Sequence, residues 1–241
     1  MKKAIIIGAS SGIGKEVAKL LLADAWQLGI AARRVDKLEE IKMLSPDRVE
    51  IHAIDVTKND APEALQQLID RVGGMDLFFY ASGIGKQNME LEPEIELDTV
   101  QTNGMGFTRM IGAAYRYMAD HGGGHIAAIS SIAGTKGLGA APSYSATKAF
   151  QNTYIQSLEQ QAKMRGLKIS FTDLRPGFVS TPLLGDNPQY PMLLKPEKVA
   201  KEIVKVIDSR RHVWVIDWRW RIVTALWRRI PRFIWRHLPI K

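Results

Sequence analysis

The chain has 241 residues, 46% apolar and 24% charged, which suits one α/β domain with a sizeable core. It has no cysteine, which excludes disulfides and thiolate metal sites. Of the net charge of +8, residues 218–241 carry +7 and the rest of the chain +1, so a high pI is no argument for a nucleic-acid partner, and none is expected.

Ala4 to Ile7 is a short apolar run that reads as a buried parallel strand. It is too short for a secretory core, and no segment approaches the length of a spanning helix, so a cytoplasmic location is expected. Gly8-Ala-Ser-Ser-Gly-Ile-Gly follows, then Lys15 to Ala25 with apolar residues at helical spacing. Strand, glycine loop and helix form the opening of a dinucleotide-binding unit. Gly8 permits the tight turn, Gly12 lets backbone approach a pyrophosphate, and Gly14 lets the helix pack on the sheet. Ser10, Ser11 and Ile13 complete the candidate cradle.

Leu28 to Ala32 is the second strand and ends in Arg33-Arg34, where an NAD enzyme usually has a carboxylate for the ribose 2′-hydroxyl. A guanidinium pairs with a 2′-phosphate, so Arg33, with Arg34 beside it, predicts NADP (NADPH). Val49 to Ile54 is the third strand, ended by Asp55-Val56; Asp55 can accept a hydrogen bond from an adenine amino group or cap the next turn. Helices are expected at Leu38 to Leu44, Ala61 to Val72, Asp98 to Ala119, Tyr144 to Arg165 and Pro196 to Asp208. Strands are expected at Leu77 to Tyr80, His125 to Ser130, Leu167 to Leu174 and Val213 to Ile216. This alternation predicts a doubly wound, mostly parallel, Rossmann-like sheet in a single domain over 1–217. His121 and His125 are four apart but flank three glycines, so no metal site is expected.

Tyr144 and Lys148 are four apart, one above the other on a helix face. A phenol has a pKa of about 10, and a fixed ammonium nearby is expected to lower it. Ser131, at the end of a strand, brings a hydroxyl to the same point. Such a site can protonate a developing alkoxide or deprotonate an alcohol.

With these residues on the page, the chain resembles the short-chain dehydrogenase/reductase family from Ala4 to about Ile216. The ordered matches are Gly8-x-x-x-Gly12-x-Gly14, Asp55, Asn103, Ser131, Tyr144-x-x-x-Lys148, and Pro176-Gly177 followed by Thr181. The resemblance implies that Tyr144 is the general acid in reduction and that Lys148 lowers its pKa and holds the nicotinamide ribose. It implies further that Ser131 binds the substrate oxygen and that Asn103 holds a water in a proton relay. Val56, Gly83, Pro176, Gly177, Val179 and Thr181 would complete the cofactor contacts. The family's Asn-Ala-Gly after the fourth strand is here Ala81-Ser82-Gly83, which removes a sheet-stabilising hydrogen bond. The implied reaction is NADPH-dependent reduction of a carbonyl. The alternatives are NADP-linked alcohol oxidation and a catalytically silent cofactor-binding protein.

The loop Leu183 to Lys195 is the expected substrate lid, with Leu, Met and Tyr as an apolar wall. A homo-oligomer is expected through the two long helices, with Met110, Ile111, Phe150, Tyr154 and Leu158 as candidate contacts and core packing the competing role for each. The tail 218–241 holds four of the six tryptophans among its arginines. Two readings stand for it: peripheral contact with a membrane surface, or docking on a subunit to close the substrate pocket.

Overall fold

The computed structural model describes residues 1–185 and 190–240. Seven parallel strands form one sheet: β1 (Lys3–Ile7), β2 (Gln27–Ala32), β3 (Val49–Ala53), β4 (Leu77–Tyr80), β5 (Gly124–Ile129), β6 (Ile169–Arg175) and β7 (Val213–Val215). Their order is β3-β2-β1-β4-β5-β6-β7, so the strand order reverses between β1 and β4. Ligands of open α/β sheets bind outside the strand carboxyl ends at that point.

Alternation along β1 feeds two cores. Ala4 and Ile6 face α1 (Gly12–Ala23), α2 (Val35–Lys42) and the C-terminal helices, whereas Ile5 and Ile7 face α3 (Ala61–Val72) and the long central helices. The expected helix over 98–119 is a longer run with an interruption: α4 (Pro93–Val100), a π segment at Gln101–Gly106, and α5 (Phe107–Asp120). Asn103 lies in that π segment, and such bulges concentrate at functional sites. α6 (Pro142–Met164) carries Tyr144 and Lys148, with Pro142 in its first turn.

Burial decides between the two roles of the candidate contact residues. Met110 and Ile111 are fully buried in the core, and Tyr154 and Leu158 pack against it, so these side chains stabilise the subunit itself. Phe150 remains exposed, together with Leu97, Val100 and Met105 on the same side. The lid loop lies partly outside the described residues, at 186–189. Its ends are anchored: Val179 bridges Leu194, and Tyr190 stacks on Phe178 with ring centroids 4.6 Å apart.

After α7 (Pro196–Asp208) and β7, the tail forms α8 (Trp218–Arg229) and the short α9 (Arg232–Trp235). It docks on its own subunit. Trp220 is buried against Phe178, Lys136 Nζ donates to the Ile230 carbonyl at 2.9 Å, and Trp235 Nε1 donates to the Gly137 carbonyl at 2.7 Å. Among the described residues no helix is long and apolar enough to cross a membrane.

Candidate active site

The glycine loop is shaped by close backbone approach. Gly8 has φ +91°, and a Cβ there would lie 2.7 Å from the Ala81 carbonyl carbon; one on Gly14 would lie 2.3 Å from Gly8 O. Thr181 reaches the loop from the far side, with Cγ2 at 3.0 Å from where a Gly12 Cβ would be. The loop after β6 therefore meets the loop after β1 across the switch point. Ile13 packs on the first core, and Val179 is buried in it.

Beyond the C-terminal end of β2 the two arginines divide. Arg34 Nη2 donates to Ser10 Oγ at 3.1 Å and to Ser11 Oγ at 3.0 Å, which assembles a guanidinium and two hydroxyls beside the glycine loop. Arg33 instead borders a cavity of about 370 Å³ with Ala53, Ile54, Asp55 and Lys58. Asp55 Oδ1 accepts from Thr57 N at 3.0 Å and Thr57 Oγ1 at 2.8 Å, so that oxygen caps the turn while the residue also lines the cavity. Val56 gives its carbonyl to Arg109 at 2.8 Å and packs under Gly106.

The other end of the candidate site is a buried polar cluster. Ser131 Oγ accepts from Ala133 N at 3.0 Å and donates to the Pro176 carbonyl at 3.4 Å, which ties β5 to the Pro176-Gly177 turn. Lys148 is buried, its Nζ donating to Gln151 Oε1 at 3.0 Å and the Ile129 carbonyl at 3.3 Å. Nζ also sits over the Tyr144 ring, 5.6 Å from its centroid. The Asn103 side chain is clamped to Ile84, accepting from its N–H at 2.9 Å and donating to its carbonyl at 2.7 Å. Its main-chain carbonyl accepts from Gln151 Nε2 at 2.8 Å. The Gln151 amide thus links that carbonyl directly to Lys148. Gly83 faces both Asn103 Oδ1 and Lys148 Nζ.

The charge states follow from burial. Burial raises the Tyr144 phenol above its ordinary value, and the Ser131 hydroxyl pulls the other way. This reverses the expected lowering by Lys148. The physical reason is that the ammonium is itself desolvated and hydrogen-bonded elsewhere. Burial lowers Lys148 to about 8, opposed by the Asp173 carboxylate. Asp173 is buried, accepts from Ser130 Oγ, and pairs with Arg175 at 2.6 Å.

The sequence profile of short chain dehydrogenases matches residues 2–190. The chain belongs to the short-chain dehydrogenase/reductase family. It is 30% identical over 217 residues to an uncharacterized oxidoreductase of Staphylococcus aureus (strain MRSA252), covering 88% of this chain and 93% of that one. Among solved structures it is similar to an alcohol dehydrogenase of the archaeon Thermococcus sibiricus complexed with 5-hydroxy-NADP. That likeness has a TM-score of 0.78 and 27% identity, over 90% of this chain and 96% of the other. A short chain dehydrogenase/reductase of Burkholderia phymatum in complex with NAD shares the fold over 100% of this chain and 96% of its own, with a TM-score of 0.87 and 19% identity.

Within this short-chain dehydrogenase/reductase the departure at Ala81 leaves the main-chain ladder intact. Ala81 N donates to Ile7 O at 2.8 Å, and its methyl packs where Gly14 leaves room. Two site residues escaped sequence reasoning, and a third, Trp220, was foreseen only as part of a tail with two readings. Gln151 resembles any polar residue on a helix until its two partners are known. Gly85 is needed because a Cβ there would lie 2.5 Å from Tyr144 Cδ2. Trp220 packs so closely on the Pro176-Gly177 turn that a Cβ on Gly177 would meet its Nε1 at 2.2 Å. The Gly-x-Gly repeat at 83–85 and the tryptophan-rich tail carried local signals for two of them; Gln151 carried none.

Proposed function

We propose that this oxidoreductase reduces the carbonyl of an apolar substrate to an alcohol with NADPH, Tyr144 serving as the proton donor. The observation that carries the reading is the gathering of Ser131, Tyr144 and Lys148 on the same carboxyl edge of the sheet as the bare glycine loop, which presents Arg34 on Ser10 and Ser11. The residues fit such a cofactor. Gly8 and Gly14 leave bare backbone for a pyrophosphate, Arg34 with its two hydroxyls suits a 2′-phosphate, and the cavity at Arg33 and Asp55 suits adenosine. The similar archaeal alcohol dehydrogenase carries an NADP derivative.

A bound nicotinamide supplies the hydride. Ser131 Oγ and Tyr144 Oη donate hydrogen bonds to the substrate oxygen, and Tyr144 Oη gives up its proton as negative charge develops there. Lys148 is held in place by Gln151 and Ile129, so its ammonium stays close to the ring it supports. The raised phenol pKa keeps the proton on Tyr144 near neutrality, so the donor is loaded for reduction. Phe178, Tyr190 and Met192 supply the apolar wall.

Residues 1–217 form the catalytic unit in this reading, with 218–241 an appended element docked beside the Gly177 turn. Exposed Val100, Met105 and Phe150 border a hollow of about 600 Å³ on the central helices, and we assign that apolar side to a second copy of the chain. The decisive experiment follows NADPH oxidation against a panel of aldehydes and ketones. Turnover with apolar members, and little with NADH, is expected. Tight cofactor binding with no carbonyl-dependent oxidation would return the protein to the class of silent cofactor binders.

A further inference from the structure

The tail is the feature of the sequence that carbonyl chemistry leaves unused, and its two faces differ. Inward, Trp220 and Thr224 are buried one turn apart, and Trp227 packs edge-to-face on Trp235 at 5.4 Å. Outward, Trp218, Ile222 and Leu226 are 65%, 53% and 58% exposed at successive spacings of four, which makes one apolar stripe along α8. Phe233 extends it on α9 at 63% exposure. Docking therefore accounts for half of the tail's apolar side chains and leaves the other half in water.

The charge left unpaired beside that stripe is, among the described residues, basic. Arg219 pairs with Asp217 and Arg221 with Glu202, both within the subunit. Arg228, Arg229, Arg232 and Arg236 are exposed, and among the described residues no carboxylate lies within salt-bridge distance of them.

We propose that the outer face of α8 and α9 seats on an anionic lipid bilayer, with α8 lying in the plane of the interface. Indole and guanidinium meet the headgroups while Ile222 and Leu226 enter the acyl boundary, and the arginines complement lipid phosphates. A second copy of the chain is a poorer occupant, because a two-fold contact brings the same arginines against each other with no acidic residue in 218–241 to offset them. Nucleic acid would satisfy the arginines and leave the apolar stripe wet. The inference is independent of the proposed cofactor and substrate.

The test is flotation of the full chain with vesicles of phosphatidylcholine alone and of phosphatidylcholine mixed with phosphatidylglycerol. The protein is expected to float with the anionic vesicles, to stay down with the neutral ones, and to be released by high salt. The double variant Ile222→Asp/Leu226→Asp should lose flotation while keeping the far-ultraviolet circular dichroism and melting temperature of the parent. Arg228→Glu/Arg232→Glu, which touches no apolar side chain, should lose it too and decides the matter if the first variant misfolds. Failure of the intact protein to float overturns the proposal, as does flotation that survives both variants. A fall in oligomeric mass by light scattering on introducing Asp at 222 and 226, without vesicles, would give the face to a second copy. Retention of a duplex oligonucleotide that the arginine variant abolishes, with no vesicle binding, would give it to nucleic acid.

Discussion

The two ends of the candidate site treat charge in opposite ways. At the Lys148 end, Asn103 and Gln151 are completely buried, and each polar group is held by another: Lys148 by Gln151, Gln151 by Asn103, and Asn103 by Ile84. Desolvation sets the protonation states there, raising the phenol and lowering the ammonium. At the Arg34 end the guanidinium is exposed and steadied only by two hydroxyls. There, charge acts by direct pairing and is screened by salt. A buried end is sensitive to any atom that breaks its network, whereas an exposed end is sensitive to sign.

The sharpest way to break this contrast is Tyr144→Phe, which deletes one oxygen at the buried end. Turnover should fall by about 10²- to 10⁴-fold, the usual worth of general acid catalysis, with cofactor affinity retained by titration. Near-normal turnover would remove Tyr144 from the reaction. At the exposed end, Arg34→Asp should weaken NADPH by roughly tenfold to hundredfold, as expected for a charge-assisted contact, while NADH is spared. The loss should shrink in high salt, and Arg33→Asp should do less because Arg33 faces Asp55. Comparable affinities of the unmutated protein for NADPH and NADH would contradict the phosphate assignment.

Gln151→Leu sharpens the comparison without touching the reacting groups. It leaves buried Lys148 Nζ and the Asn103 carbonyl each short of a partner, and a melting or denaturant curve should show a loss of about 1–3 kcal/mol. An unchanged curve would show that the amide bridge adds no stability. The smallest effect is in pH. Lys148 loses its charge near 8, so reductive kcat/KM should decline as pH rises through about 8. Asp173→Asn removes the carboxylate that opposes the lowering, so that limb should move to lower pH. For folding the sign is opposite: charging buried Lys148 is unfavourable below about 8, and the penalty is relieved as pH rises toward its ordinary 10.5. An alkaline limb unmoved by Asp173→Asn would assign it to another group.

Much of this architecture is legible in the residues themselves. The apolar run at Ala4 to Ile7, the glycine loop and the helix after it announce the first unit, and Ala61 to Val72 and Pro196 to Asp208 coincide with α3 and α7. The motif order from Gly8 to Thr181 carried the family. The direction of the Tyr144 shift was not legible, because spacing places Lys148 near the ring but does not say that the ammonium is desolvated. Met110 and Ile111 were indistinguishable from contact residues until the second core was assembled around them. The tail's composition allowed two readings, and the fold assigns Trp220 to the subunit interior and Trp218 to solvent, two positions apart on one helix.

The sequence by itself determined the strand and helix alternation, the bare backbone of the glycine loop, and the one-turn spacing of Tyr144 and Lys148, because each depends on local periodicity or on the chemistry of a single residue. Only the tertiary structure decided that Gln151 bridges Lys148 to a carbonyl 48 positions away, that Trp235 reaches Gly137 across 98, and which arginine meets the serines of the first loop. Burial and partner identity come from segments far apart in the chain, and desolvation, which sets the charges of the site, exists only once those segments have closed over it.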